Sequence, residues 1–213
     1  MPKQEPGTRP ACALPYELYV SGHLNKNKNS FDVEFEASKE QFGSRAIGAP
    51  FRAYAMGKHK SLKTQDEFEV NRSWNFTVAA GFELSNSWNL SDFESGSYHL
   101  RVYGPNGFYR EFIGDQNDPN IEIRCNYHKQ KELNGNIELM LSNKEKKEVE
   151  LTIIDNAYGN QPIHQKLGGG QDAKSVLLNL KKSFQWYDFT VQVKGDGKMR
   201  QRFAGHVETG QES

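Results

Sequence analysis

The sequence predicts an all-β chain of two tandem immunoglobulin-like or fibronectin-like β-sandwich domains, and three observations carry that prediction. The stretch Tyr98 to Gly114, YHLRVYGPNGFYREFIG, returns in degenerate form as Tyr187 to Gly205, YDFTVQVKGDGKMRQRFAG. Both copies alternate apolar with polar residues around Asn-Gly or Asp-Gly, residues whose tolerance of positive φ suits a β-hairpin turn. No segment of helical length shows a helical apolar period. From Tyr to the closing Gly the copies take 16 and 18 steps, and an even difference leaves each side chain on its own face of the strand.

Taken in order, residues 1–13, MPKQEPGTRPACA, hold three prolines and a glycine and read as an extended linker. The first repeat spans 14–115. Tyr16 to Ser21 opens it, and Phe31, Val33, Phe35 and Ala37 alternate with Asp32, Glu34 and Glu36 as a half-buried strand does. Phe51 to Met56, Phe68 to Val70, Trp74 to Val78 and Phe82 to Leu90 lead to the first hairpin, about seven strands in all. Residues 116–120, within the acidic stretch Asp115 to Asn120, form the joint and read as a solvated linker. The second repeat, 121–213, follows the same plan through Ile121 to Asn126, then Ile137, Leu139 and Leu141, then Val149, Leu151 and Ile153, then Val176, Leu178 and Leu180. A small detail recurs: Ala37-Ser38-Lys39-Glu40 is matched by Leu141-Ser142-Asn143-Lys144-Glu145. Tyr98 and Tyr187 are expected to form tyrosine corners, with the hydroxyl bonded to nearby backbone. Glu208 to Ser213 reads as a frayed end.

Lys plus Arg equals Asp plus Glu at 27 each, so the chain lacks the basic surplus of a nucleic-acid binder. No apolar run reaches membrane-spanning length, and the N-terminus lacks a signal-peptide pattern, which fits either a cytosolic protein or a piece of a longer exported one. Cys12 and Cys125 have no metal spacing and are expected to be unpaired. The six histidines form no ligand motif, and no nucleophile elbow is present. Gly168-Gly169-Gly170-Gln171-Asp172-Ala173-Lys174-Ser175 approaches a phosphate-binding loop, but a strand-like run follows where that loop needs a helix, so it reads as a glycine-rich connector. Asp115-Gln116-Asn117-Asp118 resembles a calcium-binding joint in miniature but lacks the other acidic loops of a coordination shell. Catalytic, metal and cofactor residues are therefore expected to be absent. Trp74, Trp88 and Trp186 are expected as core filling. The candidate interaction surface is the first hairpin tip: Pro105, Asn106, Phe108, Tyr109 and Arg110. There Phe108 shares a face with Phe112, and Tyr109 points the other way.

The linker QEPGTRPACALPYEL, the hairpin YGPNGFYREFIG and the tandem repetition resemble the paired C-terminal domains of bacterial phosphocholine-preferring phospholipases C. The resemblance covers almost the whole chain and is weaker in the second repeat, where YGPNGF has become VKGDGK. It implies an upstream catalytic domain in the same chain, related to acid and alkaline phosphatase-like phosphoesterases, acting on phosphatidylcholine or sphingomyelin. It implies that this chain is a non-catalytic accessory region, periplasmic or extracellular with its parent, supporting that domain or meeting a phospholipid surface. The alternative is an independent adhesion or glycan-binding module, suggested by the tandem sandwich and the tryptophans.

Overall fold

Alternating apolar residues give a strand one buried face, and two such faces must close on each other. The computed structural model describes residues 14–64, 67–129, 133–195 and 198–210. The predicted linker with Cys12, the residues Asp196 and Gly197 of the second turn, and residues 211–213 lie outside the described residues.

The first repeat contains β1 (Leu18–Leu24), β2 (Ser30–Ala37), β3 (Ala49–Ala55), β4 (Lys58–Lys60), β5 (Phe68–Val70), β6 (Ser73–Val78), β7 (Phe82–Asn89), β8 (Tyr98–Tyr103) and β9 (Tyr109–Gly114). The second contains β10 (Ile121–Lys129), β11 (Leu133–Asn143), β12 (Val149–Asp155), β13 (Ile163–Leu167), β14 (Ala173–Leu178), β15 (Trp186–Val193) and β16 (Arg200–His206). Among the described residues there is no α-helix, as the missing helical period predicted. The short β4 and β13 had no reading of their own: Lys58-His59-Lys60 offers no apolar signal, and Ile163, Gln165 and Leu167 alternate too briefly to stand out.

One layer of the sandwich is divided. It holds a sheet β1-β2-β7 from the first repeat and a sheet β10-β11-β14 from the second. The opposite layer is a continuous eight-stranded sheet in the order β13-β12-β15-β16-β9-β8-β3-β6, four strands from each repeat. The β4-β5 hairpin is an addition to the first repeat. Each repeat keeps its own core. Phe31, Phe35, Phe51 and Phe112 dominate the first, and Ile123, Ile137, Leu139, Leu151 and Phe203 the second, all essentially inaccessible to solvent. Each large apolar side chain so buried contributes roughly 1.5–3 kcal/mol.

Both hairpins are present in register. Tyr98 is opposite Gly114 and Tyr187 is opposite Gly205. In each copy the tyrosine hydroxyl lies over its glycine, 2.5 and 2.8 Å from where a Cβ would stand, which explains why the repeat opens on Tyr and closes on Gly. At the first tip Asn106 and Gly107 take φ of 54° and 74°, the left-handed pair that Asn-Gly accommodates.

Four expectations are corrected. The joint is anchored by its aspartates: Gln116 and Asn117 are exposed, but Asp115 and Asp118 are buried, and Asp118 Oδ2 accepts from Tyr98 Oη at 2.7 Å and from the Asp115 amide at 2.9 Å. The tyrosine hydroxyls meet side chains, Tyr98 donating to Asp118 of this joint and Tyr187 accepting from Arg110 of the other repeat. Trp186 is 41% exposed, although Trp88 is core and Trp74 packs against it. Glu208 is buried, its amide donating to Tyr127 Oη, so the chain is held at least that far. The glycine-rich connector does precede a strand, β14, and Gly169 is required because a Cβ there would lie 1.9 Å from the Lys146 carbonyl oxygen.

Candidate functional site

The first hairpin tip points at the second repeat. Gly107 lies against the Trp186 ring, and the Asn106 carboxamide donates to Glu208 Oε1. Of the five tip residues, Asn106 is exposed, Pro105 and Tyr109 are half-buried, and Phe108 and Arg110 are buried. The expected free surface is thus corrected for Phe108 and Arg110, whose side chains face inward with Phe112. The sequence contained the signal: the alternation that turns Phe108 and Phe112 inward applies equally to Arg110 between them.

What positions all of these groups is the seam between the repeats. β9 and β16 pair antiparallel, Arg110 opposite Phe203 and Gln201 opposite Phe112. Since Arg110 corresponds to Gln201 and Phe112 to Phe203 in the duplication, exchanging the repeats maps this pairing onto itself. Glu111 stands opposite its own counterpart, Arg202, on the pseudo-two-fold axis. The seam has the symmetry of a homodimer interface contained within one chain.

On the inner side of the seam each repeat sends a polar side chain across. The Arg110 guanidinium is 1% exposed; it donates to the Tyr109 carbonyl at 2.8 Å, the Ala204 carbonyl at 3.1 Å and Tyr187 Oη at 3.2 Å. It lies 4.0 Å from the Phe108 ring centroid, 5.2 Å from Phe203 and 5.6 Å from Tyr187. Gln201 answers from the other repeat, its Nε2 donating to the Gly22 carbonyl at 3.1 Å. Burial pushes the Tyr187 hydroxyl up to about 12 and the Cys125 thiol up to about 11, even beside this cation, so Cys125 is an inert thiol at neutral pH.

Two ionic clamps close the divided layer. Lys129 of β10 reaches Glu17 at 2.6 Å and Glu40 at 2.9 Å, and Lys28 of the β1–β2 turn reaches Glu145 at 2.8 Å. Glu40 and Glu145 are the closing residues of the small repeated detail noted in the sequence. Glu17 is fully buried; burial raises its carboxyl, but Lys129, the Gln41 amide and the Tyr19 hydroxyl outweigh that and hold it below its ordinary range.

The outer face of the eight-stranded sheet carries a ladder of aromatic and guanidinium groups across the seam. The Arg52 guanidinium lies over Tyr54 at 5.2 Å, Tyr54 contacts Tyr103 at 5.7 Å, Tyr103 contacts Tyr109 at 5.1 Å, and Arg202 covers Tyr109 at 5.6 Å. Beside it His99 and Arg101 hold Glu111 at 2.8 and 2.7 Å, and Arg202 forks onto Asp188 at 2.8 and 2.6 Å. His99 corresponds to Asp188 and Glu111 to Arg202, so the second repeat carries the pair with its polarity reversed. Burial pushes the Tyr109 hydroxyl up to about 12. No group of three or more His, Cys, Asp or Glu among the described residues is placed to hold a metal.

Comparison with known proteins matches this architecture to a family. The profile described as "Bacterial phospholipase C, C-terminal domain" matches twice, over residues 10–115 and 121–206. A "Non-hemolytic phospholipase C" of Burkholderia pseudomallei is 37% identical over 219 aligned positions, covering 100% of this chain and 28% of the relative. The protein of the same title from Pseudomonas aeruginosa is 32% identical, covering 99% and 28%, and a "Hemolytic phospholipase C" of that organism is 28% identical, covering 100% and 30%. The chain thus spans under a third of the length of these relatives. With two consecutive matches falling on the two halves of one shared sheet, this chain belongs to the family of bacterial phospholipase C C-terminal domains.

Proposed function

We propose that this chain is the non-catalytic accessory region of an exported bacterial phospholipase C, and that it seats the phosphoesterase portion of that enzyme on the outer face of its eight-stranded sheet. In this reading residues 14–115 and 121–213 are the paired domains, 116–120 the joint and 1–13 the lead-in from the catalytic part. Its substrate would be phosphatidylcholine or sphingomyelin.

The observation that carries the reading is the composition of that face. Across β3, β8, β9, β16 and β15 the outward positions include Arg52, Arg101, Arg200, Arg202, Tyr54, Tyr103, Tyr109 and Trp186, and no lysine; the outward Lys166 of this face lies on the edge strand β13. The chain has 18 lysines and 9 arginines, so a merely solvated face would be expected to favour lysine. Arginine, tyrosine and tryptophan are the residues that concentrate binding energy at protein interfaces, and lysine is depleted there.

The test uses the full-length enzyme carrying this region, with Tyr103→Ala and Tyr109→Ala together on the ladder. The reading expects a lower melting temperature and faster proteolytic separation of the two parts, with reduced turnover on both a soluble choline phosphodiester and phosphatidylcholine vesicles. Unchanged stability and unchanged turnover on both substrates would sink it. Loss confined to vesicles would replace docking with recognition of the lipid surface.

A further inference from the structure

The turn that leads into the second hairpin shares a backbone feature with its counterpart in the first repeat but is built from different residues. Three and two residues before Tyr98, Ser95 and Gly96 take φ of 62° and 66°. Three and two residues before Tyr187, Phe184 and Gln185 take φ of 52° and 64°. The first repeat meets the second of these left-handed positions with glycine, at no steric cost. The second repeat fills both with residues that carry a Cβ, and a ring as bulky as phenylalanine is an outlier in that conformation. The turn is nevertheless tied down. The Gln185 amide donates to the Leu180 carbonyl at 3.2 Å, the Gln185 carbonyl accepts from the Val207 amide at 3.0 Å, and Ser183 Oγ donates to the Trp186 carbonyl at 2.7 Å.

Burial does not offset that strain. Phe184 is 77% exposed, and Trp186, two residues on, is 41% exposed. Lys181 and Lys182 are exposed as well, and neither makes an ion pair among the described residues. In the first repeat the matching turn carries Asp92 and Glu94, each held by a lysine of β4, Lys60 at 3.3 Å and Lys58 at 2.7 Å. From Leu180 to Tyr187 the second turn has no acidic residue. The fold therefore needs the left-handed turn but neither the phenylalanine nor the lysines, since the first repeat makes it with serine and glycine and with charges of opposite sign.

We infer that the turn from Lys181 to Trp186 is a contact for an anionic phospholipid surface, with Phe184 entering the boundary between headgroups and acyl chains and the two lysines meeting lipid phosphates. An exposed ring beside unpaired lysines suits such a boundary. The ring gains by leaving water, and each lysine lays its stem along apolar surface while its ammonium stays among the headgroups. A protein partner suits the turn less well, because lysine is depleted in protein interfaces. The pinned backbone holds the ring outward in advance, so little further freedom is lost on contact. The inference does not depend on what the outer face of the eight-stranded sheet seats.

Co-sedimentation of the 213-residue chain with vesicles of phosphatidylcholine alone, and of phosphatidylcholine mixed with phosphatidylglycerol, tests it. Binding is expected to be stronger on the mixed vesicles and to weaken with added salt. Phe184→Gly, which relieves the left-handed residue, is expected to melt no lower than the wild type and yet to bind the mixed vesicles about tenfold more weakly. Lys181→Ala together with Lys182→Ala is expected to weaken binding to the mixed vesicles about tenfold and to leave binding to phosphatidylcholine alone unchanged. No binding to mixed vesicles by the folded chain would overturn the proposal, as would equal binding to both vesicle types or binding that neither variant weakens. A clearly lower melting temperature for Phe184→Gly would also overturn it, by showing that the ring serves the fold. Unaltered vesicle binding by both variants, together with a less stable full-length enzyme, would assign the turn to a protein partner instead.

Discussion

Arg110 shows how one residue can join two repeats. Its partners are two carbonyls, a phenol and three aromatic rings, a set that suits a flat guanidinium and gives an ammonium much less. Replacing it leaves buried acceptors unpaired and a gap among the rings. We expect Arg110→Ala to cost about 3–5 kcal/mol, as other removals of a large buried side chain do. Arg110→Lys should recover little of this, and Arg110→Met, which refills the space between the rings, should recover more. Urea denaturation of the three variants checks the order; a lysine variant as stable as the wild type would show that the fork geometry is irrelevant.

At the scale of elements, the two clamps and the β9–β16 pair share a titration behaviour. Glu17, Glu111, Glu145 and Asp188 are all held below their ordinary values. For Glu17, Glu111 and Asp188 burial works the other way and is outweighed by the basic and hydrogen-bonding partners, whereas for Glu145 the Lys28 contact is itself the largest cause. A carboxyl lowered in the folded state contributes stability above its unfolded value, 4.5 for the glutamates and 3.8 for the aspartate, and loses it as pH falls through the lower folded value. Glu36 acts in the opposite sense, raised first by burial and then by Glu17, Glu40 and Glu83, and it relieves part of the loss when protonated. Buried His59, its ring held below the ordinary 6.5 first by desolvation, adds an earlier loss, because the unfolded ring takes up a proton that the folded one resists. Melting temperature is therefore expected to decline modestly below about pH 6.5 and more steeply below the ordinary carboxyl values. A calorimetric scan with no steepening below the ordinary carboxyl values would contradict this assignment. The same strands discourage wrong pairing. Two first repeats joined through β9 would set Glu111 against Glu111, and two second repeats Arg202 against Arg202, so the charge inversion on the axis favours the partner within the chain.

For the whole molecule, the shared sheet makes the repeats one mechanical body. Breaking β9 from β16 would uncover two sheet edges and the Arg110 site together, so neither repeat has reason to open alone. A chain carrying Cys12→Ser and Trp186→Phe, which leaves tryptophan in the first repeat alone, allows a direct check. Trp74 and Trp88 report on the first repeat by fluorescence, and the buried Cys125 thiol reports on the second by its reactivity. Both signals are expected to follow one urea transition with a common midpoint. Two separated midpoints would mean that the seam is weaker than its geometry implies.

The sequence by itself determined the local design. Its duplication gave the equivalence of Tyr98 with Tyr187, its period-two alternation placed most strands, and Asn106-Gly107 set the first turn, because each of these depends on residues close together in the chain. Even the burial of Arg110 was legible from its place between Phe108 and Phe112. Tertiary structure decided how the repeats meet. Lys129 finds Glu17 112 residues away, and Arg110 finds Ala204 at a separation of 94, pairings that no local period encodes. Strand alternation fixes which face a side chain takes, but not which edge its sheet will join. That choice buried Asp115 and Asp118 of a joint expected to be solvated. It also drew Phe108 and Arg110 of the expected free tip into the seam and assembled the tyrosine–arginine ladder from strands of both repeats.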